Sequence, residues 1–546
     1  MSALQDYQRV PVPTAMNRGL VAEHGRGKIN RSQSPLLLNA RLNGASTRVR
    51  LGYLRVATAT TLDTAFKIQG IGWHEKLNQV LIVHNKKLFR LDTTTDALVE
   101  IVVAAGQTAI SVDGPVNFSD FGFRMFINIK GDGQFIYNST LDTYQKLEDF
   151  GQSVPTGFDP AFGIIDDGLQ LVGGVTGDEN LVFRSDRTFQ QETDIDNIFT
   201  FQFSVTSDPT AVPQTMAESN VVKGIVKNMQ GVYIFRGNQI DFFSGLTTEG
   251  ISAAIVQTVA TGESTANHRS LVAAGNSIFF LTAENKIKAI NFSEGSPIQQ
   301  TVEVSHRQLG ISRIMDEMDE DQSDAFGQFY PIDRLVVFHM KSKGSNFNDR
   351  TIVIAIRPDG STDFSEDTNK FFRHSVSAGN KIYAISDVVP ELYIDEDSTS
   401  DNGTEIRLTR RTKRFDLTQP EGRKEFREVR LSGTKSNARA ATFQVLIDDD
   451  AATAPITLSA GTTGAAGGTG THAVATVAAG SSAGGVDTDN VEWHKVISRN
   501  QLRRIGRTIQ LEIVSTGFGF FMIDFLEFKA RSRTDSVKRL TETDFT

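Results

Sequence analysis

Gly231-Val232-Tyr233-Ile234-Phe235-Arg236-Gly237-Asn238-Gln239-Ile240-Asp241-Phe242-Phe243 consists of two β-branched and aromatic runs joined by Gly-Asn. Such runs favour extended chain, and a Gly-Asn pair can take the positive φ of a tight hairpin turn. The second half is echoed 38 residues later by Gly275-Asn276-Ser277-Ile278-Phe279-Phe280-Leu281. It recurs as Gly379-Asn380-Lys381-Ile382-Tyr383-Ala384-Ile385, and more weakly as His84-Asn85-Lys86-Lys87-Leu88-Phe89-Arg90. A small antiparallel sheet every ~40 residues is the spacing of propeller blades.

Other short runs bounded by Gly, Asn, Asp and Ser extend the series. They are Gln79–Val83, Lys87–Leu91, Phe123–Ile129, Gln134–Tyr137, Leu181–Arg184, Arg334–His339, Thr351–Ile356 and Lys381–Ile385. The intervals are too short for crossover helices, so a parallel doubly wound fold is excluded. From Thr404 onward a second set alternates: residues 405–410, Phe426–Leu431, Ala441–Ile447, Thr508–Val514 and the apolar Phe518–Glu527. This predicts an antiparallel sandwich. The expected fold is therefore all-β: a basic N-terminal arm over 1–55, a β-propeller over 56–400, a β-sandwich over 401–532 and a tail over 533–546. The sandwich is interrupted by 451–485, which holds 8 Gly, 11 Ala and no charged residue, and reads as a hairpin loop or flap.

Composition removes several chemistries. The 546 residues include no cysteine, which excludes disulfides, thiolate catalysis and sulfur-ligated metals. No run of apolar residues is long enough for a membrane-spanning helix, and no N-terminal signal-peptide pattern is present. The nine histidines show no pair at metal-ligand spacing, and no nucleophile elbow, P-loop or nucleotide fingerprint occurs. Asp166 with Asp167, or Asp194 with Asp196, would be the carboxylate pairs of a propeller glycosidase, but adjacent acids in β-rich loops are more often turn formers. No enzyme, metal or cofactor is expected. His268 beside Arg269 reads as a contact at the edge of a blade.

Charge is uneven around the net −9. The arm carries nine basic residues against two acids, among them Arg9, Arg18, Arg26, Lys28 and Arg31. It reads either as an assembly arm or as a solvated tail. A second cluster, Arg407, Arg410, Arg411, Lys413, Arg414, Arg423 and Lys424, is joined by Arg503, Arg504 and Arg507. These are candidates for contact with DNA phosphates or partner carboxylates; ordinary salt bridging to intermixed acids is the competing reading. Met315–Asp324 holds six acids in ten residues and reads as a surface loop or short helix, while Lys341–Arg350 reads as a polar hairpin loop.

In texture the chain resembles the tail nozzle (packaged-DNA stabilisation, or tail accessory) proteins of short-tailed bacteriophages. The resemblance rests on Asn220–Asn238, on His268-Arg269-Ser270-Leu271-Val272-Ala273-Ala274-Gly275-Asn276-Ser277-Ile278-Phe279-Phe280-Leu281, and on the passage Asp401-Asn402-Gly403-Thr404-Glu405-Ile406-Arg407 into the second domain. It covers roughly residues 40–530; the scarcity of Trp (2) and the 451–485 insertion depart from it. The resemblance implies a virion protein assembled in the host cytoplasm, in a ring of identical subunits, expected to number six. That ring would sit below the portal and adaptor, carry fibres or a spike, and touch passing DNA non-specifically. The alternative is a host receptor- or glycan-binding propeller, for which two Trp and eight Tyr offer few sugar-stacking platforms.

Overall fold

The computed structural model describes residues 8–11, 34–43, 46–56, 62–92, 95–150, 157–166, 169–184, 220–229, 231–244, 255–291, 300–305, 311–415, 423–436, 438–451, 453–458, 490–498, 502 and 505–532. The protein is all-β, and it divides into two compact units. The larger holds Tyr53–Thr362 and Thr368–Ser398; the smaller holds Met1–Gly52, Asp363–Asp367 and Thr399–Thr546.

The larger unit is a succession of seven antiparallel sheets, the first two joined along their outer strands. Their innermost strands are Ile68–His74, Val116–Phe121, Phe162–Asp166, Val222–Asn228, Leu271–Ala274, Phe326–Tyr330 and Phe372–Ala378. Each inner strand touches the next, and the seventh touches the first, so the circuit closes. The strand Gly52–Arg55, which enters this unit at Tyr53, lies on the outer edge of the seventh sheet beside Leu392–Ser398. There the Val56 amide donates to the Leu392 carbonyl at 2.9 Å. Chain from before the first sheet thus completes the last one.

This arrangement explains the unbroken apolar runs. Each sheet is flanked by neighbours on both faces, so its second strand is buried on both sides rather than alternately. Arg124–Ile129 and Leu335–Met340 are buried at every position. The cores accordingly lie between sheets. Ile71, Val80, Ile82 and Leu91 of the first sheet pack against Tyr383, Ile385 and Leu392 of the seventh. Phe235 and Tyr233 pack against Ile278 and Phe280, and Phe126 and Ile136 against Val172 and Phe183.

The echoed motif marks hairpins rather than a repeat register. Gly275 and Gly379 lie in first hairpins and take φ of 59° and 61°. Gly237-Asn238 and Asn85-Lys86 lie in second hairpins. Inner strands recur every 46 to 60 residues, a longer interval than the motif spacing implied. The acidic run follows the short helix Ser312–Met315 and meets the other polar window. Lys341 Nζ lies 3.8 Å from Asp319 and 3.7 Å from Asp321, and Arg350 Nη2 lies 3.1 Å from Glu317.

The smaller unit contains two sheets. One runs Ala40–Asn43, Ser46–Val49, Phe521–Ser532, Lys424–Ser436 and Asn490–Ile497, with Gln8–Pro11 paired to Phe521–Ser532. The other includes Leu36–Leu38, Leu408–Arg411, Ile509–Gly517 and Arg439–Ile447. Rings from the two meet: Phe443 with Trp493 at 5.4 Å and Phe415 with Phe528 at 5.1 Å. Residues 34–52, read from sequence as part of an arm, supply strands to this unit. The greater part of the 451–485 insertion lies outside the described residues.

Close approach of inner strands imposes glycine. A Cβ on Gly72 would sit 2.4 Å from Phe118 Cγ and 2.5 Å from its Cβ. Gly72→Ala is therefore expected to destabilise the larger unit by about 1–3 kcal/mol, measured as a lowered denaturation midpoint.

Candidate functional site

The inner strands surround a central cavity of about 340 Å³. All seven inner strands line it, with Gly72 and Trp73, Asn117 and Asp120, Gly163, Ile225, Leu271, Gln328, and His374 with Ser375. His268 and Arg269 of the 3-10 turn His268–Ser270 add to the wall. A second cavity of about 350 Å³ shares Asn117, His268 and Arg269 with the first, so these three residues stand on the wall between the two.

His268 is held by its surroundings. Its ring stacks on Phe162 at 4.7 Å. The Ile225 amide donates to Nδ1 at 3.3 Å, and Asn117 Nδ2 lies 3.2 Å from Nε2. Asn117 Oδ1 accepts from the Gly163 amide at 2.9 Å, which turns the amide nitrogen toward the histidine. An imidazolium would point both ring protons at N–H groups, so the ring stays neutral. Burial, then the Arg269 charge, pushes its pKa down to about 3. His374, edge-on to Phe326 at 5.8 Å, is likewise pushed down to about 3, by burial and then by the charge of Arg269.

Arg269, half-buried, differs from the fully buried cations. Among the described residues none accepts a hydrogen bond from its guanidinium, and Nη2 is shut off from solvent without a partner. Burial lowers its pKa to about 10; Arg373 adds to that push, while Asp324 and Asp387 oppose it.

The smaller unit's cations are mostly committed. Arg41 binds Asp367 through two bonds of 2.8 and 2.6 Å, and Arg50 binds Asp401 through bonds of 2.7 and 2.5 Å. Of the basic residues proposed from sequence to meet DNA or an adaptor, Arg410 is fully buried and bonds to Thr47. Lys424 is also buried, donating to the Arg507 carbonyl at 3.1 Å. Arg411 pairs with Glu512, and Arg414 with Asp449. Lys413 is half-buried; Arg407, Arg423 and Arg507 are exposed. Arg503 and Arg504 lie outside the described residues, as do the arm residues Arg18, Arg26, Lys28 and Arg31, while Arg9 falls in the strand Gln8–Pro11.

Asp166 pairs with Lys227 at 2.8 Å; Asp167, Asp194 and Asp196 lie outside the described residues. Among the described residues no three His, Asp or Glu stand where they could hold a metal ion, and no helix is long and apolar enough to cross a membrane. Sequence reasoning read His268 as a contact at the edge of a blade; it bonds to Asn117 and Ile225 of other sheets and also lines the central cavity. The meeting of His268, Arg269 and His374 had no signal in the sequence, because it depends on which strands are innermost.

No family model and no curated protein matches the chain. Solved structures with some likeness include the β-propeller domain of Cps50 (Swd1) from Myceliophteria thermophila, at 10% identity and TM-score 0.39, covering 62% of this chain and 98% of that one. YCF48 from Cyanidioschyzon merolae gives 9%, 0.39, 63% and 98%, and the designed protein Ika8 gives 8%, 0.36, 69% and 100%. Likenesses this weak establish neither a shared fold nor a shared function.

Two outcomes are expected. Asp401→Ala removes the bidentate acceptor of buried Arg50, leaving Asp367 at 3.8 Å as its remaining carboxylate, and should cost about 3 kcal/mol, read from chemical denaturation. The depressed histidines make the unfolded chain the better proton acceptor below its pKa of 6.5. Stability should therefore be complete above about pH 6.5 and fall as pH drops towards 3. Midpoints measured across that range should decline less steeply in His374→Gln.

Proposed function

We propose that the larger unit is a seven-bladed β-propeller and the smaller a β-sandwich, together forming a non-catalytic structural subunit. The reading advanced is a tail nozzle of a short-tailed bacteriophage: a ring of identical copies below the portal and adaptor. Such a ring extends the DNA exit channel, helps retain packaged DNA and carries fibres or spikes.

The observation that carries the structural part is the closed circuit of inner strands, sealed by a strand from the start of the unit. A closed ring of sheets leaves few free edges and resists deformation, which suits a wall element under load. The nozzle assignment rests on the sequence resemblance over Asn220–Asn238, residues 268–281 and residues 401–407. Exposed Arg407, Arg423 and Arg507 are the side chains available for screened, non-specific contact with DNA. The second reading, a receptor- or glycan-binding propeller, is favoured by one feature, the central cavity with its unpartnered Arg269.

Mass measurement by light scattering, followed by electron imaging, separates the two. The nozzle reading expects a closed ring, alone or with a portal–adaptor complex. A chain that stays monomeric under both conditions overturns it.

A further inference from the structure

Four polar atoms on residues that line the central cavity lack any hydrogen-bond partner although each is closed off from bulk water: Arg269 Nη2, His374 Nδ1, Ser375 Oγ and Asp120 Oδ1. Ser375 is only 2% exposed. Leaving such groups unsatisfied costs about 1–3 kcal/mol apiece, and more for a charge, and all of them belong to residues that line one cavity.

The charges nearby bear on what that cavity could hold. Arg269 feels Arg373, Asp324 and Asp387. Asp387 is engaged by Lys67 Nζ at 3.0 Å and by the Asn348 amide at 2.9 Å, with Arg373 Nη1 at 3.8 Å. Asp324 faces Arg373 Nη2 at 3.9 Å. Lys67, Arg269 and Arg373 exceed Asp324 and Asp387 by one positive charge, which Asp120 on the same lining opposes, and Arg269 is the member without an ion pair. On the same lining Asp120 accepts from the Glu75 amide at 2.8 Å and lies 3.6 Å from His74 Nδ1. Its carboxyl disfavours a doubly charged guest.

We propose that the central cavity of the larger unit binds a singly charged carboxylate, with Arg269 as its counter-charge and Ser375 and His374 as neutral hydrogen-bonding partners. Trp73 and Phe118, on the same lining, offer apolar surface to the body of the ligand. The cavity is at the small end of the range typical of ligand sites, roughly 300–1,000 Å³, so the occupant is a single small unit. A free carboxylic acid and a uronic acid unit of a saccharide present the same chemistry. The site does not depend on ring assembly, and its test does not read it.

The full-length chain is titrated by calorimetry with acetate, glucuronate and inorganic phosphate at constant ionic strength. Saturable binding of acetate and glucuronate alike indicates a free carboxylate, and binding of glucuronate alone indicates a uronic acid. In either case Arg269→Gln should weaken binding about tenfold or more, as loss of a charged hydrogen bond does. Ser375→Ala should weaken it less, and supplies the reading if Arg269→Gln does not fold. Three results overturn the proposal: no saturable carboxylate binding, tighter binding of phosphate, or undiminished affinity in both variants.

Discussion

Closure governs the larger unit. A row of twisted antiparallel sheets has two raw ends, and both vanish only if the last sheet packs on the first. Here the seventh sheet meets the first across Tyr383, Ile385 and Leu392 against Ile71, Val80 and Ile82. Once the circuit is complete, every sheet has a neighbour on each face, and the apolar surface of one is covered by the next. The same demand crowds the inner strands, and Gly72 lies where a side chain would strike Phe118. It also brings together polar residues that no local interaction pairs. The cavity with Arg269 follows from closure as much as the cores do.

The smaller unit solves a different problem. Several arginines lie in its interior, and three of them are answered by bidentate or multiple acceptors. Arg41 and Arg50 hold Asp367 and Asp401, while Arg439 donates to Ser515 Oγ and to the carbonyls of Gly517 and Gly519. Removing charges of this kind from water is costly, and hydrogen bonds in fixed geometry offset the loss. Since Asp367 and Asp401 come from segments far from residue 50 in the chain, these pairs fix register between distant stretches more than they add net stability.

Much of the strand pattern was legible because a strand between two neighbours must be apolar along its whole length. Val80–Val83 and Leu335–Phe338 read as strands from their β-branched and aromatic runs, and they are buried. Repeat length was not legible. A Gly-Asn turn is selected by hairpin geometry alone, and it serves first hairpins at Gly275 and Gly379 but second hairpins at Gly237 and Asn85. Charge was legible in amount but not in placement: Arg50 and Arg410 look like surface cations in sequence and are buried. The candidate site was invisible for a related reason. His268 and His374 belong to separate sheets, and only the closed circuit makes them neighbours.

The strand Gly52–Arg55 has a temporal consequence. Its partner, Leu392–Ser398, leaves the ribosome about 340 residues later, which at ~5–20 residues per second is a wait on the order of 20–70 s. Throughout that interval the nascent circuit is an open arc with unpaired strands at both ends. The chain must survive synthesis in that state, and the circuit closes only when Leu392–Ser398 reaches the strand Gly52–Arg55.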